Sequence, residues 1–595
     1  MKSFFKYVFA TVVGIILTYI ICMVIGIIFL TSIIAGISPK TVSVKENSVL
    51  RIDLSNEIPD KVVNEFNNFD FTKMKIKQVL GLNDILRTIE KAKTDVNVKG
   101  IYLDLSSVSQ GFSTLEEIRN KLIEFKDTKK FIIAYSSVYS QGAYYLASVA
   151  DKIYLNPQGG IDWKGLNMEV MFYSGLMEKI GVEAQIFRHG QFKSAIEPFI
   201  NKEMSEPNKR QSITLIQSLW DDMCTKISAS RGISIEKLNL IADNLDALKA
   251  KTALDDKMVD GIKYYDEVLT ELSELSGNSK SNKDMFVSLF DYSKSVKPNT
   301  ETITNTKITN AKIAVIFAEG EIVDGSDVNN NIAGDNMAEI IRKVREDKDV
   351  KAVVLRVNSP GGSGLASEII WRELNLTRAE KPVVVSMGNY AASGGYYISC
   401  PSNYIFAQPN TITGSIGVFG MLPNVQKLMN DKLGITIDGV RTNQNSGYGQ
   451  IYRPVNDAER IIIQNSIEEF YDTFLTRVSD GRNIEKSQVD SIGQGRVWSG
   501  INALEIKLID GIGGLNDALK KAVELAELNE GEYVIREYPE KTDMFSELFN
   551  GLSVQMSERK LKEILGENYE IFKTLNRIQN MKGIQARMDY QMVIY

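Results

Sequence analysis

The sequence has very little histidine and cysteine for its 595 residues. It contains one histidine, His189, and three cysteines, Cys22, Cys224 and Cys400, which lie far apart and form no CxxC pair. One imidazole cannot supply a three-histidine zinc site or an HExxH metalloprotease. The scattered cysteines exclude a disulfide scaffold, a cysteine-rich zinc site and an iron–sulfur cluster. We therefore expect a protein that uses no metal and no other cofactor.

An excess of charge of either sign is also missing. The chain has 69 Lys+Arg against 75 Asp+Glu, a formal net charge of -6, with 44% hydrophobic and 24% charged residues. These are globular values, and they give no indication of a nucleic-acid partner. At roughly 100 to 200 residues per domain, the length allows two to four domains.

Residues 7–38 contain no charged side chain and follow Lys2 and Lys6. This stretch exceeds the ~20 residues that cross a bilayer as a helix. The rival interpretation is a cleavable signal peptide, whose apolar region would be only about 7 to 15 residues long. Its single small-x-small cleavage candidate, Gly36–Ser38, precedes Pro39. We predict an uncleaved single-pass anchor in the inner membrane.

The charges that flank this anchor favour neither orientation strongly. The basic residues before the apolar stretch are nearly balanced by those after it, which are Lys40, Lys45 and Arg51. The positive-inside rule therefore gives only a weak preference for one orientation. We expect residues 1–6 to form a cytoplasmic tail and the body to lie on the outer, periplasmic side.

The body alternates short β-branched runs with amphipathic helical stretches, which predicts largely parallel sheets covered on both faces. A polar stretch with few apolar runs separates two such regions. The predicted organisation is a first α/β domain at 45–275, a polar connection at 276–309, a second α/β domain at 310–530 and a C-terminal extension at 531–595.

The two domains are copies of one unit, because three segments of the first recur in the second at a nearly constant offset of 250 to 252 residues. The matching pairs are Lys99–Ser107 with Lys351–Ser359, Ala143–Ser148 with Gly395–Cys400, and Ala253–Ile262 with Ala503–Ile512.

The copies differ where chemistry is expected. Only the second contains the paired glycines Gly361 and Gly362, and its Ser393 aligns with Gln141 of the first. Conversely, the first contains Lys193 in the run FKSAIEP, and the matching region of the second has no lysine. Each half retains what the other lacks, so we predict one composite site built from both halves.

The motifs NSPGGS, MGNYAASGGYYIS and TITGSIGVFG, together with FKSAIEPF, resemble those of the long bacterial signal peptide peptidases, or protease IV, of peptidase family S49. The resemblance runs from the anchor to about Leu528. It implies an α/β fold of tandem Clp-protease/crotonase-like domains (β-β-α superhelices), and a membrane-tethered homotetramer that cuts remnant signal peptides. It also implies Ser393 as the nucleophile, Lys193 as the general base and Ser415 as the residue that orients the lysine.

This dyad is also chemically reasonable. A serine hydroxyl needs a base, and a lysine serves only if its pKa falls from about 10.4 toward neutrality. Burial lowers the pKa of a lysine, and the neighbours of Lys193 are apolar: Phe192, Ala195, Ile196, Pro198 and Phe199. Glu197 would oppose this effect, so we predict that it points elsewhere.

Glycines are suited to an oxyanion hole because they let backbone N–H groups approach the substrate closely. We predict donors from Gly394 and from either Gly361 or Gly362. Alone, each glycine motif would more often be a turn or a packing contact. Their joint presence in one copy and absence from the other favours the functional interpretation.

Three alternatives remain open on the residues alone. His189, four residues before Lys193, could be the base of a Ser-His pair, although nothing obvious supplies a carboxylate to orient it. The chain could also be an acyl-CoA enzyme on the same fold, or a noncatalytic membrane scaffold. Cys400 is interpreted as a packing residue and Cys22 as lying within lipid.

Signal peptides have apolar cores, and an unpaired charge in an apolar pocket is unfavourable by several kcal/mol. We therefore expect signal peptides and other short apolar peptides as substrates, with Leu, Ala, Val or Phe before the cut bond and poor cleavage of charged sequences. We expect oligomerisation to build a chamber that admits only extended chains.

Overall fold

The computed structural model describes residues 2–37, 44–62, 69–70, 75–76, 79–108, 110–278, 285–295, 311–326, 331–529 and 531–540, and near the C terminus residues 561, 566, 569, 583–588 and 593–594. Ser38 of the predicted anchor, most of the predicted polar connection and most of the C-terminal extension lie outside the described residues.

The N-terminal apolar stretch forms one helix, Lys2–Ile37. Within it, the 20 residues Lys6–Ile25 are long and apolar enough to cross a membrane by length and composition, and none of this window is buried against the rest of the protein. The apolar helix predicted at this place is present and fits a membrane.

The first half is built on a parallel sheet. Its strands in chain order are β1 (Ser48–Asp53), β2 (Phe69–Asp70), β3 (Lys75–Ile76), β4 (Val98–Asp104), β5 (Phe131–Tyr139), β6 (Lys152–Ile161), β7 (Met168–Glu169), β8 (Glu183–Arg188), β9 (Gly261–Ile262) and β10 (Phe286–Ser288). Six of them form a sheet in the order β10-β1-β4-β5-β6-β9, with every neighbouring pair parallel. The predicted polar connection thus contributes a strand, because β10 pairs with β1.

Helices cover this sheet on both faces. They span Leu82–Thr94, Phe112–Lys126, Gln141–Ala147, Ser174–Ile180, Glu197–Ile200, Glu206–Arg231, Ile235–Asn244, Ala250–Asp255, Tyr265–Ser276 and Leu289–Ser293. The helix Leu82–Thr94 shows why the sequence folds this way: it buries Ile85, Leu86, Ile89 and Ala92, whose spacing places them on one face.

The second half repeats this plan. Its strands are β11 (Lys312–Glu319), β12 (Ile322–Val323), β13 (Ile332–Ala333), β14 (Val350–Ser359), β15 (Gly361–Ser363), β16 (Val383–Ala392), β17 (Tyr404–Ala407), β18 (Ile412–Gly414), β19 (Phe419–Asn424), β20 (Val497–Ser499), β21 (Gly511–Ile512) and β22 (Val534–Tyr538), followed by β23 (Gln585–Arg587) and β24 (Val593–Ile594). Its main sheet has the order β20-β18-β16-β14-β11-β22, and β17 connects β16 to β21. The helices of this half span Gly334–Glu346, Gly364–Glu380, Gly394–Ser399, Asp457–Arg482, Lys486–Ile492, Gly500–Glu505 and Leu515–Leu525.

The tandem repeat predicted from the sequence is visible in the pairing. The series β1-β4-β5-β6-β9 of the first half corresponds to β11-β14-β16-β17-β21 of the second, with parallel pairs throughout both series. The predicted fold class of tandem α/β domains behind an apolar N-terminal helix is confirmed.

A third sheet joins the halves, in the order β13-β12-β15-β23-β19-β8. The first-half strand β8 pairs antiparallel with β19 of the second half. Part of the C-terminal extension also enters this sheet, because β23 lies between β15 and β19. The pairing of β8 with β19 places the residues that follow β8 against the second half.

Candidate active site

The structure brings together Lys193 and Ser393, which are 200 residues apart in the chain. Lys193 follows β8, and its Nζ lies 2.9 Å from Ser393 Oγ. The same Nζ is 3.1 Å from Ser415 Oγ and 3.4 Å from the Ser415 carbonyl oxygen. All three residues are at most 2% exposed. The composite arrangement expected from the two copies is therefore present as a contact between the halves.

Gly495 makes this contact possible and was missed by the sequence reasoning. Its φ is +83°, and a Cβ on it would lie 2.7 Å from Lys193 Cα. The neighbouring Gln494 accepts a hydrogen bond from the Phe192 amide at 2.9 Å. Only glycine fits both the backbone conformation and the close approach. The pair of glycines at 493 and 495, just before β20, was the available signal.

The pKa of Lys193 is set by its burial. Desolvation lowers the pKa of its amine well below the ordinary value. Glu197 is buried nearby, but its carboxylate accepts hydrogen bonds from the Ser205 amide and hydroxyl and from Asn208 Nδ2. It points away from the amine, as predicted. The environment of Lys193 therefore favours the neutral amine.

Ser393 lies at a sharp turn between β16, which ends at Ala392, and the helix Gly394–Ser399. Its φ of 54° and ψ of -112° are unusual for a residue with a side chain. The Ser393 amide donates to the Gly414 carbonyl at 2.8 Å, and Oγ donates to the Gly417 carbonyl at 3.3 Å. Strained backbone of this kind is found at functional sites, and here it presents the hydroxyl to the lysine.

The three glycines predicted to form an oxyanion hole surround this turn. Gly361 has a φ of +95°, and the Gly394 amide nitrogen lies 2.6 Å from the position that a Cβ on Gly361 would take. The Gly361 amide donates to Ser359 Oγ at 3.2 Å. The amide of Gly362 lies in β15, the strand that pairs with β23.

A segment of the chain itself fills the groove beside these glycines. β23 runs antiparallel to both β15 and β19. Hydrogen bonds from the Met588 amide to the Pro360 carbonyl and from the Gly364 amide to the Ile584 carbonyl, both 2.9 Å, extend the ladder on either side. No motif in the C-terminal extension, residues 531–595, indicated this position.

His189 has partners other than Lys193 and Ser393. Its Nδ1 is 2.5 Å from Glu468 Oε2, and its ring stacks on Tyr471 at 3.9 Å between centroids. The expectation that nothing supplies a carboxylate to this imidazole was therefore wrong, since Glu468 comes from a helix 279 residues further on. The basic group that reaches Ser393 Oγ is nevertheless the amine of Lys193.

The first half has a different arrangement at the corresponding place. Gln141, aligned with Ser393, is buried and holds the following loop: its Oε1 accepts from the amides of Lys164 and Gly165, and its Nε2 donates to the Gly165 carbonyl. A cavity of about 280 Å³ lies beside it, lined by Leu105, Ser106, Ser107, Val108, Val138, Ser140 and Asp162. The glutamine thus has a structural role in this half.

The two buried cysteines resemble packing residues. Cys224 and Cys400 are buried, and burial raises the pKa of each thiol to about 12. Cys22 lies in the N-terminal helix. Across the described ranges, no group of three or more His, Cys, Asp or Glu side chains could hold a metal ion.

Comparison with known proteins agrees with this architecture. The model of peptidase family S49 matches twice, at residues 124–279 and 375–529. The chain is 41% identical over 459 residues to "Protease 4" of Salmonella typhi, covering 76% of this chain and 72% of that protein. It is 40% identical to "Protease 4" of Haemophilus influenzae over 74% of this chain and 72% of that protein. It is 31% identical to "Serine protease SPPA, chloroplastic" of Arabidopsis thaliana over 92% of this chain and 78% of that protein. The chain therefore belongs to peptidase family S49 and is a serine-type protease with two copies of the family domain.

Proposed function

We propose that this protein is a membrane-anchored endopeptidase whose nucleophile is Ser393 and whose general base is Lys193. The observation that carries the proposal is the 2.9 Å distance between the buried Lys193 Nζ and Ser393 Oγ. A buried amine with a lowered pKa can accept the hydroxyl proton. Ser415 supports this role, because its hydroxyl lies 3.1 Å from the amine and fixes its position.

The reaction proceeds in two stages. The neutral amine of Lys193 takes the proton of Ser393 as Oγ attacks the peptide carbonyl carbon, forming a C–O bond and a tetrahedral oxyanion. The resulting ammonium then gives its proton to the leaving nitrogen as the C–N bond breaks, leaving an acyl-enzyme. Lys193 next takes a proton from water, which attacks the ester, and the proton returns to Ser393 Oγ as the acid is released.

The oxyanion in this scheme is stabilised by two backbone amides, from Gly394 and Gly362. Of the two paired glycines, Gly362 is the better donor because the amide of Gly361 is already bonded to Ser359 Oγ. Loss of one such donor typically lowers the rate about 10²- to 10³-fold.

The test is cleavage of a synthetic signal peptide by the detergent-solubilised full chain. We expect Ser393→Ala and Lys193→Ala each to abolish cleavage while the thermal transition is kept. The matched control is His189→Ala, which removes the single imidazole of the chain and should retain activity. Comparable activity in Lys193→Ala and the wild type would refute the dyad, and loss of activity in His189→Ala alone would favour the Ser-His alternative.

The proposed substrates are signal peptides and other short apolar peptides. The helix Lys2–Ile37 would hold the body at the inner membrane, with residues 1–6 in the cytoplasm and the site on the periplasmic side, where such peptides remain after export. Protease accessibility of the body in spheroplasts, compared with inverted vesicles, tests this topology. Digestion only in inverted vesicles would contradict it.

Oligomerisation is part of the same proposal. The stretch between β19 and the helix Asp457–Arg482 exposes a set of large apolar side chains, which are Leu433, Ile435, Ile437, Val440, Tyr448, Ile451 and Tyr452. Large apolar side chains exposed together in one segment are typical of an interaction site, and we propose a homotetramer that encloses the grooves. Light scattering in mild detergent should give four times the protomer mass of 66.6 kDa, and a monomer mass would refute the tetramer.

A further inference from the structure

The tail strand β23 follows the course that an extended peptide would take through the groove. It adds between β15 and β19 with antiparallel pairs on both sides. Peptides are commonly recognised by adding a strand to a sheet in this way, with main-chain hydrogen bonds giving affinity and side-chain pockets giving specificity. The side chains that contact β23 therefore indicate which type of substrate side chain the groove would bind at each position.

The register identifies the residue of β23 that corresponds to the bond being cut. Gly362 pairs with Ala586. The pairs two residues away on either side, Pro360 with Met588 and Gly364 with Ile584, are hydrogen-bonded. Hydrogen-bonded pairs alternate in an antiparallel ladder, so the Ala586 carbonyl faces the Gly362 amide. This carbonyl oxygen also lies 2.1 Å from the position of a Cβ on Gly361 and 3.0 Å from that on Gly394. Ala586 thus marks the residue before the cut bond and Arg587 the residue after it.

Arg587 is buried against an acidic residue of the groove wall. Its guanidinium makes two contacts with Glu321: Nη1 to Oε1, and Nη2 to Oε2 at 2.9 Å. Arg587 is 2% exposed. Glu321 immediately precedes β12, which pairs with β15 at Ile322 and Gly362. Glu321 is therefore anchored beside the proposed oxyanion donors by the second domain itself, independently of the tail.

We propose that Glu321 is a specificity-determining residue that recognises a Lys or Arg side chain directly after the cut bond of a substrate. The inference rests on the proposed peptidase function. A carboxylate that meets both outer nitrogens of an arginine is a strong and geometrically selective contact. The next position is apolar, because Met588 packs with Leu215, Leu219 and Ala392. With this proposal, poor cleavage is expected for peptides that carry a charge at positions other than the one directly after the cut bond.

The experiment measures kcat/KM of the full chain for two internally quenched peptides that differ at one position. Both contain the tail sequence, one as Ile-Gln-Ala-Arg-Met and the other as Ile-Gln-Ala-Gln-Met. Competition by β23 affects both peptides equally and cancels in their ratio. We expect the wild type to prefer the Arg peptide about 10- to 100-fold, the range for a hydrogen bond to a charged group.

Three variants sharpen this measurement. Glu321→Gln should remove the preference, and Glu321→Lys should reverse it, so that the Gln peptide is cleaved faster than the Arg peptide, because like charges repel. Glu339→Gln is the matched control, because it removes an exposed acidic residue that pairs with the surface residue Lys343, and should keep the wild-type ratio. A ratio near one in the wild type, or an unchanged ratio in Glu321→Gln, would overturn the proposal.

A second measurement needs no catalysis. Hydrogen exchange of the Met588 amide, which donates to the Pro360 carbonyl, should accelerate about 10-fold or more in Glu321→Gln, because a hydrogen bond to a charged group is lost, and stay unchanged in Glu339→Gln. If neither peptide is cleaved but this exchange result holds, the peptidase function fails and the acidic subsite stands. If cleavage depends on Ser393 but exchange and peptide ratio are both insensitive to Glu321, the subsite fails alone.

Discussion

The composite site requires the two halves to stay docked, and a buried charge cluster between them should be essential for this. Arg356 of β14 is 1% exposed, and its Nη2 lies 2.9 Å from Asp60 Oδ1 and 2.7 Å from Glu117 Oε1. Both carboxylates come from the first half and are themselves buried. Nη1 also donates to Ser386 Oγ at 2.8 Å.

We predict that Arg356→Met strongly destabilises the protein. The substitution keeps most of the apolar volume but leaves two buried carboxylates without their cation, and removal of one partner from a buried ion pair is typically destabilising by about 3–5 kcal/mol. For halves of this size, each kcal/mol lowers the melting temperature by about 2–4 °C. A fall of about 10 °C is therefore expected by differential scanning calorimetry.

The pH dependence of this loss has a definite sign. Burial already raises the pKa of Glu117, and removal of Arg356 raises it further. A carboxyl group whose folded-state pKa is raised contributes stability below its unfolded pKa and loses it as the pH rises through the folded value. The deficit of Arg356→Met should therefore be smaller at pH 5 than at pH 8, and smaller again when Asp60→Asn and Glu117→Gln are added.

The matched control is Arg342→Met. Arg342 also binds a carboxylate, at 2.7 Å from Glu373, but its side chain is half-exposed, and such pairs contribute about 0–1 kcal/mol. Equal shifts in the melting temperature for Arg342→Met and Arg356→Met would refute the reasoning, as would a deficit that grows toward acid pH.

Two further predictions concern the site and its first-half counterpart. Lys193→Met should be inactive yet more stable by about 1–2 kcal/mol at pH 7, since it removes a buried polar group. Burial lowers the pKa of Lys193, so the wild type gains stability as the pH rises toward the pKa that this lysine has in the unfolded chain. The stability difference between Lys193→Met and the wild type should therefore be smaller at pH 10 than at pH 7 in denaturant titrations. Gln141→Ser should create no second site, because its half has no glycine pair at the position that aligns with Gly361 and Gly362, and a serine-directed probe should still label one residue per chain; two labels would contradict this.

The arrangement of the main elements could be predicted from the sequence because the repeat carried long-range information. Aligning the copies singled out Ser393 and Lys193, although 200 residues separate them. Continuous apolar runs between amphipathic helices predicted the parallel sheets, since strands buried on both faces have this pattern.

The contacts that the sequence did not predict depend on short or distant segments. β23 has three residues, too few for a periodic signal, and it becomes a strand only because β15 and β19 pair with it. Glu468 and His189 meet across 279 residues and lie on elements without a shared motif. Gly495 matters because the backbone of Lys193 approaches it, and the local signal, the glycines at 493 and 495, does not reveal which segment approaches.

In the mechanism we propose, one serine, activated by a lysine from the other half, performs the chemistry. The most direct test is labelling of the full chain with a fluorophosphonate probe, followed by mapping of the modified residue by mass spectrometry. We predict one label per chain, on Ser393, with a rate that rises with pH as Lys193 loses its proton and that is lost in Lys193→Ala. A label on another residue, or an equal labelling rate in Lys193→Ala, would contradict the account.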